Sequence, residues 1–342
     1  MPVVELPAAF SRYRDEIEQE LRSVLAERDS PFYRMLRYQL GWVDDKGQPV
    51  QSAGGKRLRP VLCLLTCEAL GADRRKALPA TAALELVHNF SLIHDDIQDG
   101  SPERHHRPSV WWVWGPAQAI NAGDAAHALG RLALFRLPDV GASQEQLRRA
   151  LRLLDEAALR LCEGQYLDMA FQERMDVTVD AYMEMARGKT GALMSCSLAL
   201  GALLAGGDEA QVEAAGRAGM ALGLVYQMHD DVLDLWGERP GEATGGDILT
   251  KKKSLPIVYA LEKGTVKQKR ELGTLYFKRT LEPPDVARVA AILDEVGACA
   301  AAQKMAERHF NEAMEHLHSL PLSESGRREF EEVGRFMLER TA

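Results

Sequence analysis

The residues best suited to chemistry in this 342-residue chain are two copies of one acidic pattern. Residues 94–99 read His-Asp-Asp-Ile-Gln-Asp, and residues 229–234 read His-Asp-Asp-Val-Leu-Asp. In an α-helix the first and last aspartates of this pattern are four residues apart and face the same way. Two such faces across a bundle would present carboxylates to one cavity. Hard oxygen ligands that leave room for water and phosphate suit Mg²⁺, so the spacing predicts a divalent-cation site.

Both acidic patterns end predicted helices, where negative charge is unfavourable. A helix C-terminus carries partial negative charge, so each acid there loses roughly 0.3–1 kcal/mol. One such cluster alone would indicate a solvated acidic surface. Here each cluster follows a strongly apolar stretch, residues 84–93 and 220–228, and the helices stop at Gly100 and Gly237. Two such clusters in one chain favour bound cations that offset the repulsion.

A basic segment offers the opposite charge. Residues 54–60 read Gly-Gly-Lys-Arg-Leu-Arg-Pro, a flexible turn that enters a helix with Lys56 and Arg59 three residues apart. Cations beside the N–H groups of a helix start form an anion site. Such runs are usually solvated surface. Beside two acidic clusters, this one predicts an anionic group that the protein holds directly.

Two further polar positions face the same interior. Gly188-Lys189-Thr190-Gly191 is a glycine-flanked break at which a helix could kink and direct Lys189 inward. Gln227 lies three residues before Asp230 and shares its helix face. Without a role at the site, Lys189 would be an ordinary surface lysine, and Gln227 would form hydrogen bonds within the core.

Helical periodicity with short Gly or Pro breaks covers almost the whole chain. Hydrophobic residues make up 46% and aromatic residues 6%, a balance that favours helices over sheets. No segment alternates as a strand and no linker divides the chain. We therefore predict an all-α fold, one bundle in a single domain spanning residues 1–342. The predicted helices are 8–28, 59–71, 80–99, 117–134, 144–172, 178–187, 189–205, 209–236, 254–262, 266–277, 283–295, 297–318 and 324–340.

Charge and cysteine content restrict the binding partners and the cellular compartment of the protein. The net charge of −8 argues against nucleic acid as the main partner. Five scattered cysteines indicate a reduced, cytoplasmic protein. Cys63 and Cys67 have a metal-ligand spacing, but their apolar neighbours favour buried thiols. Residues 190–207 are uncharged, yet their small side chains and lack of flanking aromatics predict a buried core helix without membrane insertion.

The motifs together resemble the trans-isoprenyl diphosphate synthase family, the polyprenyl synthetases. The resemblance rests on GGKRLRP at 54–60, SLIHDDIQD at 91–99 and YQMHDDVLDLWG at 226–237, with EGQ at 163–165, GKTGAL at 188–193 and KKKSLP at 251–256 in the family's order. It spans essentially the whole chain. It implies an isoprenoid synthase-type helical bundle around a deep central cavity, usually a homodimer. It also implies three Mg²⁺ ions per active site, with Mn²⁺ as a substitute.

The same resemblance assigns roles to individual residues. The metal ligands would be Asp95, Asp99 and Asp230, supported by Asp96, Asp231 and Asp234. The allylic diphosphate would be held by Arg104, Lys189 and a lysine of the 251–253 run, for which we take Lys253. Isopentenyl diphosphate would be held by Lys56, Arg59, His88 and the residue at His105. Thr190 and Gln227 would face the developing carbocation.

The implied reaction needs no protein nucleophile. The allylic diphosphate leaves, the double bond of isopentenyl diphosphate attacks the cation, and a proton passes to the departed diphosphate. Phe90, about one and a half turns before Asp95, would form the floor of the cavity. An aromatic there, with no insertion in the acidic motif, implies geranylgeranyl diphosphate as product, with farnesyl diphosphate second.

The sequence departs from the family pattern at two positions. His105 replaces an arginine that grips isopentenyl diphosphate, so that grip should weaken or depend on pH. Arg107 is the candidate substitute. Glu242 aligns where the family has a lysine, and Lys251, Lys252 or Lys253 would then cover that role.

Three alternatives remain at this stage. Glu85 with His88, and Glu315 with His318, match the Glu-x-x-His spacing of a diiron protein, which would leave the acidic clusters unexplained. A terpene cyclase on the same fold would act on an allylic diphosphate alone. A non-catalytic synthase subunit would have no need for six acids at two helix ends.

Overall fold

The computed structural model describes residues 6–50, 55–237 and 245–340. The α-helices are α1 (Ala8–Val24), α2 (Arg34–Gln39), α3 (Leu58–Ala69), α4 (Leu78–Gln98), α5 (Val110–Trp114), α6 (Pro116–Leu134), α7 (Gln144–Gln172), α8 (Val179–Ala186), α9 (Ala192–Leu204), α10 (Glu209–Trp236), α11 (Gly246–Leu249), α12 (Leu255–Lys263), α13 (Val266–Tyr276), α14 (Pro283–Val296), α15 (Ala298–His318) and α16 (Glu324–Glu339). Short 3₁₀ turns cover Pro31–Tyr33, Arg74–Ala77 and Leu137–Val140, and a π turn covers Arg187–Gly191.

The all-α prediction is confirmed, with one small exception. Strands β1 (Glu103–Arg104) and β2 (Arg107–Pro108) form an antiparallel pair just after α4. His105 and His106 make the turn between them with φ values of 52° and 57°. Four residues are too few for alternation to show in a sequence. That residues 1–342 form a single domain stays a prediction.

Helix α9 is the centre of the core. It is buried at every position except Ser195, and it packs among α3, α7 and α10. A Cβ at Gly201 would lie 2.4 Å from the carbonyl oxygen of Cys63, so α3 and α9 meet backbone to backbone. Cys63 and Cys67 are buried free thiols, as predicted. None of the helices in the three described ranges is long and apolar enough to cross a membrane.

The two acidic patterns lie on long helices, α4 and α10, whose positions are fixed by packing. Helix α10 begins with a capping box in which Asp208 and Gln211 satisfy each other's backbone N–H groups, and α7 begins with the same device from Ser143 and Gln146. Helix α4 packs along α6, and α10 packs between α9 and α15. These contacts fix where the C-terminal ends of α4 and α10 lie.

Candidate active site

The acidic pattern of α4 lies at the end of that helix and is tied to three cations. Arg104 donates from Nε to Asp96 Oδ1 at 2.8 Å and from Nη2 to Asp95 Oδ2 at 3.1 Å. Lys189 Nζ reaches Asp95 Oδ1 at 3.3 Å, and Lys252 Nζ lies 2.8 Å from Asp99 Oδ2. Burial alone would raise the pKa of Asp95, but Lys189, Lys252 and Arg104 together lower it. Asp95 is therefore charged, and the cluster is held in place by these three cations.

Lys189 reaches this cluster because the helix carries a π turn at residues 187–191. A Cβ at Gly164 would lie 2.1 Å from the backbone nitrogen of Lys189, so only glycine lets α7 approach this turn. Lys189 Nζ also donates to Asp168 Oδ2 at 2.6 Å. π turns often occur at functional sites. The predicted glycine-flanked kink is present and directs Lys189 inward.

The second acidic pattern, in α10, is held mainly by neutral donors. Asp231 is buried and accepts hydrogen bonds from Tyr182 Oη at 2.7 Å, Gln227 Nε2 at 2.9 Å and the Leu255 N–H at 2.7 Å. Burial raises the pKa of Asp231 to about 6. Both of its oxygens are engaged by protein, so Asp231 fits the predicted supporting position. Asp234 Oδ2 accepts the backbone N–H of Asp247 at 3.0 Å.

Two carboxylate oxygens of the first cluster fit a cation. Asp96 Oδ2 and Asp99 Oδ1 are buried and have no hydrogen-bond partner among the described residues. Burial raises the pKa of Asp96 to about 6, against the attraction of Arg104. No group of three or more acid, His or Cys side chains within the described ranges is placed to hold a metal unaided. A cation here must complete its shell with water and substrate oxygens, as Mg²⁺ characteristically does.

The basic cluster faces the same space. Arg59 Nε is buried and has no hydrogen-bond partner in the described part of the chain, and burial lowers the pKa of Arg59. The pKa of His88 lies well below its ordinary value. Burial is the main cause, and the nearby positive charges of Arg59, Arg104 and His105 add to it. Lys56 is exposed, with its ammonium 5.4 Å from the centre of the Phe336 ring. A buried guanidinium nitrogen without a partner fits an anionic ligand.

A central cavity of about 290 Å³ lies between Asp95 of the first acidic cluster and Arg59 of the basic cluster. Its lining includes Arg59, His88, Phe90, Asp95, Gln98, Lys189 and Thr190. Thr190 Oγ1 donates to Gln227 Oε1 at 2.5 Å, so these two predicted catalytic residues are coupled to each other and, through Gln227, to Asp231. A larger surface hollow, of about 620 Å³, lies beside α1, where Arg74 pairs with Glu16, away from all of these groups.

Phe90 separates the central cavity from an outer groove of about 590 Å³, because its ring lines both. The ring makes edge contacts with His94 and His127, at centroid distances of 5.0 Å and 5.2 Å. His127 and Leu159 line the outer groove beyond it. That Phe90 forms the floor of the cavity stays a prediction.

The lysine run is placed differently from our assignment. Lys253 is buried, and its ammonium donates to the carbonyl oxygens of Gln172 and Lys251 and lies 4.7 Å from the centre of the Tyr276 ring. It therefore does not reach the acids of the site, and Lys252 does. These contacts favour Lys252 over Lys253 for the predicted role, which stays a prediction. Glu242 and Gly54 lie outside the described residues.

Arg107 is not free to replace His105 as an anion ligand. Its guanidinium donates to the carbonyl oxygens of Tyr38 and Val43 and lies 4.1 Å from the centre of the Tyr38 ring. His105 as a whole residue is exposed in the β1–β2 turn, but the surrounding protein partly desolvates its ring. This desolvation, followed by the nearby charge of Arg104, lowers the pKa of His105.

The diiron alternative finds no support in these contacts. Glu85 Oε1 accepts from Arg57 Nη1 at 2.7 Å and from Asn89 Nδ2 at 3.0 Å, so it serves a buried ion pair. Glu315 and His318 are exposed on α15.

Sequence reasoning missed Asp168, Asp247 and Arg340. Asp168 holds Lys189. Asp247 contributes a further, half-buried acid, and desolvation together with the charge of Asp234 raises the pKa of Asp247 to about 8. Arg340 Nη2 pairs with Asp230 Oδ1 at 2.5 Å. Only Asp168 left a signal, since it follows Gly164 by one helical turn on the inward face of α7.

Known proteins resemble this chain over most of its length. The model of the polyprenyl synthetase family matches residues 41–294. A (2E,6E)-farnesyl diphosphate synthase of Mycobacterium tuberculosis is 36% identical, with 93% of this chain and 89% of that protein covered. A geranylgeranyl diphosphate synthase of the same organism is 37% identical, with 90% and 87% covered. The crystal structure of a polyprenyl synthetase from Streptomyces coelicolor A3(2) matches with a TM-score of 0.89 at 35% identity, covering 96% of this chain and 98% of that one.

Two acidic helix ends, and a cavity that Asp95 of the first one shares with Arg59 of the basic helix start, thus occur in a chain that matches this family in sequence and in fold. The diiron alternative and a non-enzymatic bundle leave that combination unexplained. The chain belongs to the polyprenyl synthetase family and is a prenyltransferase.

Proposed function

We propose that this enzyme joins isopentenyl diphosphate head to tail to an allylic diphosphate and releases a short all-trans prenyl diphosphate. The observation that carries the proposal is one cavity that has acidic residues on one side and a basic residue on the other. Asp95 lines the acidic side, next to Asp96 and Asp99, whose buried oxygens have no hydrogen-bond partner among the described residues. Arg59 lines the basic side, and its Nε likewise has no partner in the described part of the chain. The first suits a diphosphate bound through cations, and the second suits a diphosphate bound directly.

The residues at the acidic side would hold the allylic substrate and its cations. Asp95, Asp99 and Asp230 would coordinate Mg²⁺, which when bound would neutralise the leaving diphosphate. Lys189 and Arg104 already lie against Asp95 and would donate to the diphosphate oxygens. The allylic carbon–oxygen bond breaks while these donors hold the departing charge.

The residues at the basic side would orient the second substrate. Arg59 and Lys56 would hold the diphosphate of isopentenyl diphosphate, with the neutral ring of His88 beside them. Its double bond then forms the new carbon–carbon bond, and the proton lost from the adjacent carbon passes to the released diphosphate. The coupled Thr190 and Gln227 would present oxygen dipoles to the developing carbocation.

Phe90 supports a short product, because its ring ends the central cavity. We propose geranylgeranyl diphosphate as the main product and farnesyl diphosphate as the second. The two mycobacterial relatives carry these two product names.

We also propose that the enzyme works as a cytoplasmic homodimer. Leu159, Tyr166 and Met169 on α7 and Ile120 on α6 are exposed. Tyr166 and Met169 also line the central cavity, so a second copy seated on this face would close its side.

The test is a product assay by mass spectrometry on purified protein with Mg²⁺. Dimethylallyl, geranyl and farnesyl diphosphates are supplied with isopentenyl diphosphate, and each is also supplied alone. A linear diphosphate that needs both substrates, and is lost with EDTA, supports the proposal. A hydrocarbon or alcohol formed from an allylic substrate alone would identify a terpene cyclase instead.

A further inference from the structure

Arg340, the residue that follows α16, reaches the second acidic cluster from the far end of the chain. Its guanidinium donates from Nη2 to Asp230 Oδ1 at 2.5 Å, and it lies 4.0 Å from the centre of the Tyr226 ring. Nη1 donates to the Met337 carbonyl at 2.9 Å, and the Arg340 carbonyl lies 2.6 Å from His229 Nε2. These contacts leave the guanidinium little freedom.

The pair is asymmetric in burial. The Arg340 side chain is 2% exposed and that of Asp230 is 37% exposed. The buried partner is thus fixed by ring stacking and backbone contacts, while the carboxylate remains accessible to a ligand. An arginine pre-organised in this way orients a carboxylate with little loss of entropy.

We propose that Arg340 is a positioning residue for the cation that Asp230 would bind. Its guanidinium holds one carboxylate oxygen, and a carboxylate held at one oxygen can still coordinate a cation through the other. Groups that orient metal ligands in this way typically change metal affinity 10–100-fold when removed. The inference rests on the proposed metal role of Asp230.

The position of α16 adds to this role. Phe336, one turn before Arg340, lies under the Lys56 ammonium, and Asp230 and Tyr226 are electrostatic neighbours of Arg59. The end of α16 therefore contacts the second acidic cluster through Asp230 and the basic cluster through Lys56. An effect on cation binding must be measured apart from binding of the second substrate.

The experiment measures Mn²⁺ binding by electron paramagnetic resonance in the presence of inorganic pyrophosphate, with no prenyl substrate. The Asp230→Asn variant identifies the Mn²⁺ ion that depends on Asp230, because that ion is lost from it. We expect Arg340→Gln to lower the affinity for this same ion by about tenfold. Arg340→Lys should restore part of that affinity, and the double variant should bind no worse than Asp230→Asn. Arg335→Gln is the matched control, because Arg335 lies on the same helix and pairs with exposed Glu331.

Thermal unfolding of the metal-free proteins separates positioning from simple anchoring. If Arg340→Gln lowers the melting temperature but binds Mn²⁺ as the wild type does, the inference is overturned and Arg340 only anchors α16. If the wild type itself binds no Mn²⁺ with pyrophosphate, the proposed metal-dependent function fails instead.

Discussion

The ammonium of Lys252 lies 2.8 Å from Asp99 Oδ2, whereas the next residue directs its ammonium to backbone carbonyls. Lys251, the residue just before these two, has a φ of 59° and turns the chain at that point. One backbone conformation therefore decides which of three consecutive lysines enters the site.

We predict that Lys252→Gln lowers kcat/KM for the allylic substrate by about 10²-fold, because a charge beside the leaving diphosphate is lost. Lys253→Gln, the matched control, should lower the melting temperature and change kcat/KM far less. Steady-state kinetics and thermal unfolding of both variants check this. Equal losses of kcat/KM would contradict the placement of Lys252.

Phe90→Ala should lengthen the product. Removal of the ring would connect the central cavity to the outer groove beside His127, so a longer chain could be accommodated. Mass spectrometry of the products made from farnesyl diphosphate would show the change. Phe135→Ala, at an exposed aromatic away from the cavity, serves as the control. An unchanged product distribution would rule out Phe90 as the floor.

The grip on isopentenyl diphosphate should tighten as the pH falls. Burial and Arg104 lower the pKa of His105 from 6.5, so the ring is neutral at pH 7 and gains its charge only in more acidic solution. His105→Arg should lower KM for isopentenyl diphosphate about tenfold at pH 8 and flatten its pH dependence, since a charge-assisted hydrogen bond contributes about 1.5–3 kcal/mol.

His106→Arg adds the same charge to the same turn at its neighbouring exposed position and is the control. KM measured from pH 6 to pH 8.5 tests the assignment. A decrease in KM of the same size in both variants would mean that His105 has no special access to the substrate.

Asp247 should make the metal-free protein less stable at high pH. Burial, with the charge of Asp234, raises the pKa of Asp247 from 3.8 to about 8. The folded state therefore holds a proton that the unfolded state has lost, and stability falls between these two values as the pH rises. Asp247→Asn should flatten this slope and raise the melting temperature by several degrees at pH 8 in EDTA. Saturating Mg²⁺ and pyrophosphate should narrow the difference between the proteins.

Site residues could be predicted from the sequence where their spacing along a single helix forms a recognisable pattern. The aspartates of α4 and α10 recur within one turn after apolar runs, and their helices end at recognisable stops. Asp247 and Arg340 stand alone in their segments, and only tertiary packing brings them to the site. The short helices α2 and α5 were missed because five or six residues show too little periodicity.

The π turn at residues 187–191 makes α8 and α9 one continuous helix with an additional residue. Each residue of an α-helix turns the chain by about 100°, so this insertion sets the phase between the two halves. Deleting one residue there would leave both halves helical and their composition almost unchanged. The apolar side chains of α9 could then no longer pack in the core while Lys189 still reaches the carboxylates. Across related sequences, the length of this segment should therefore be preserved together with Lys189 and Thr190.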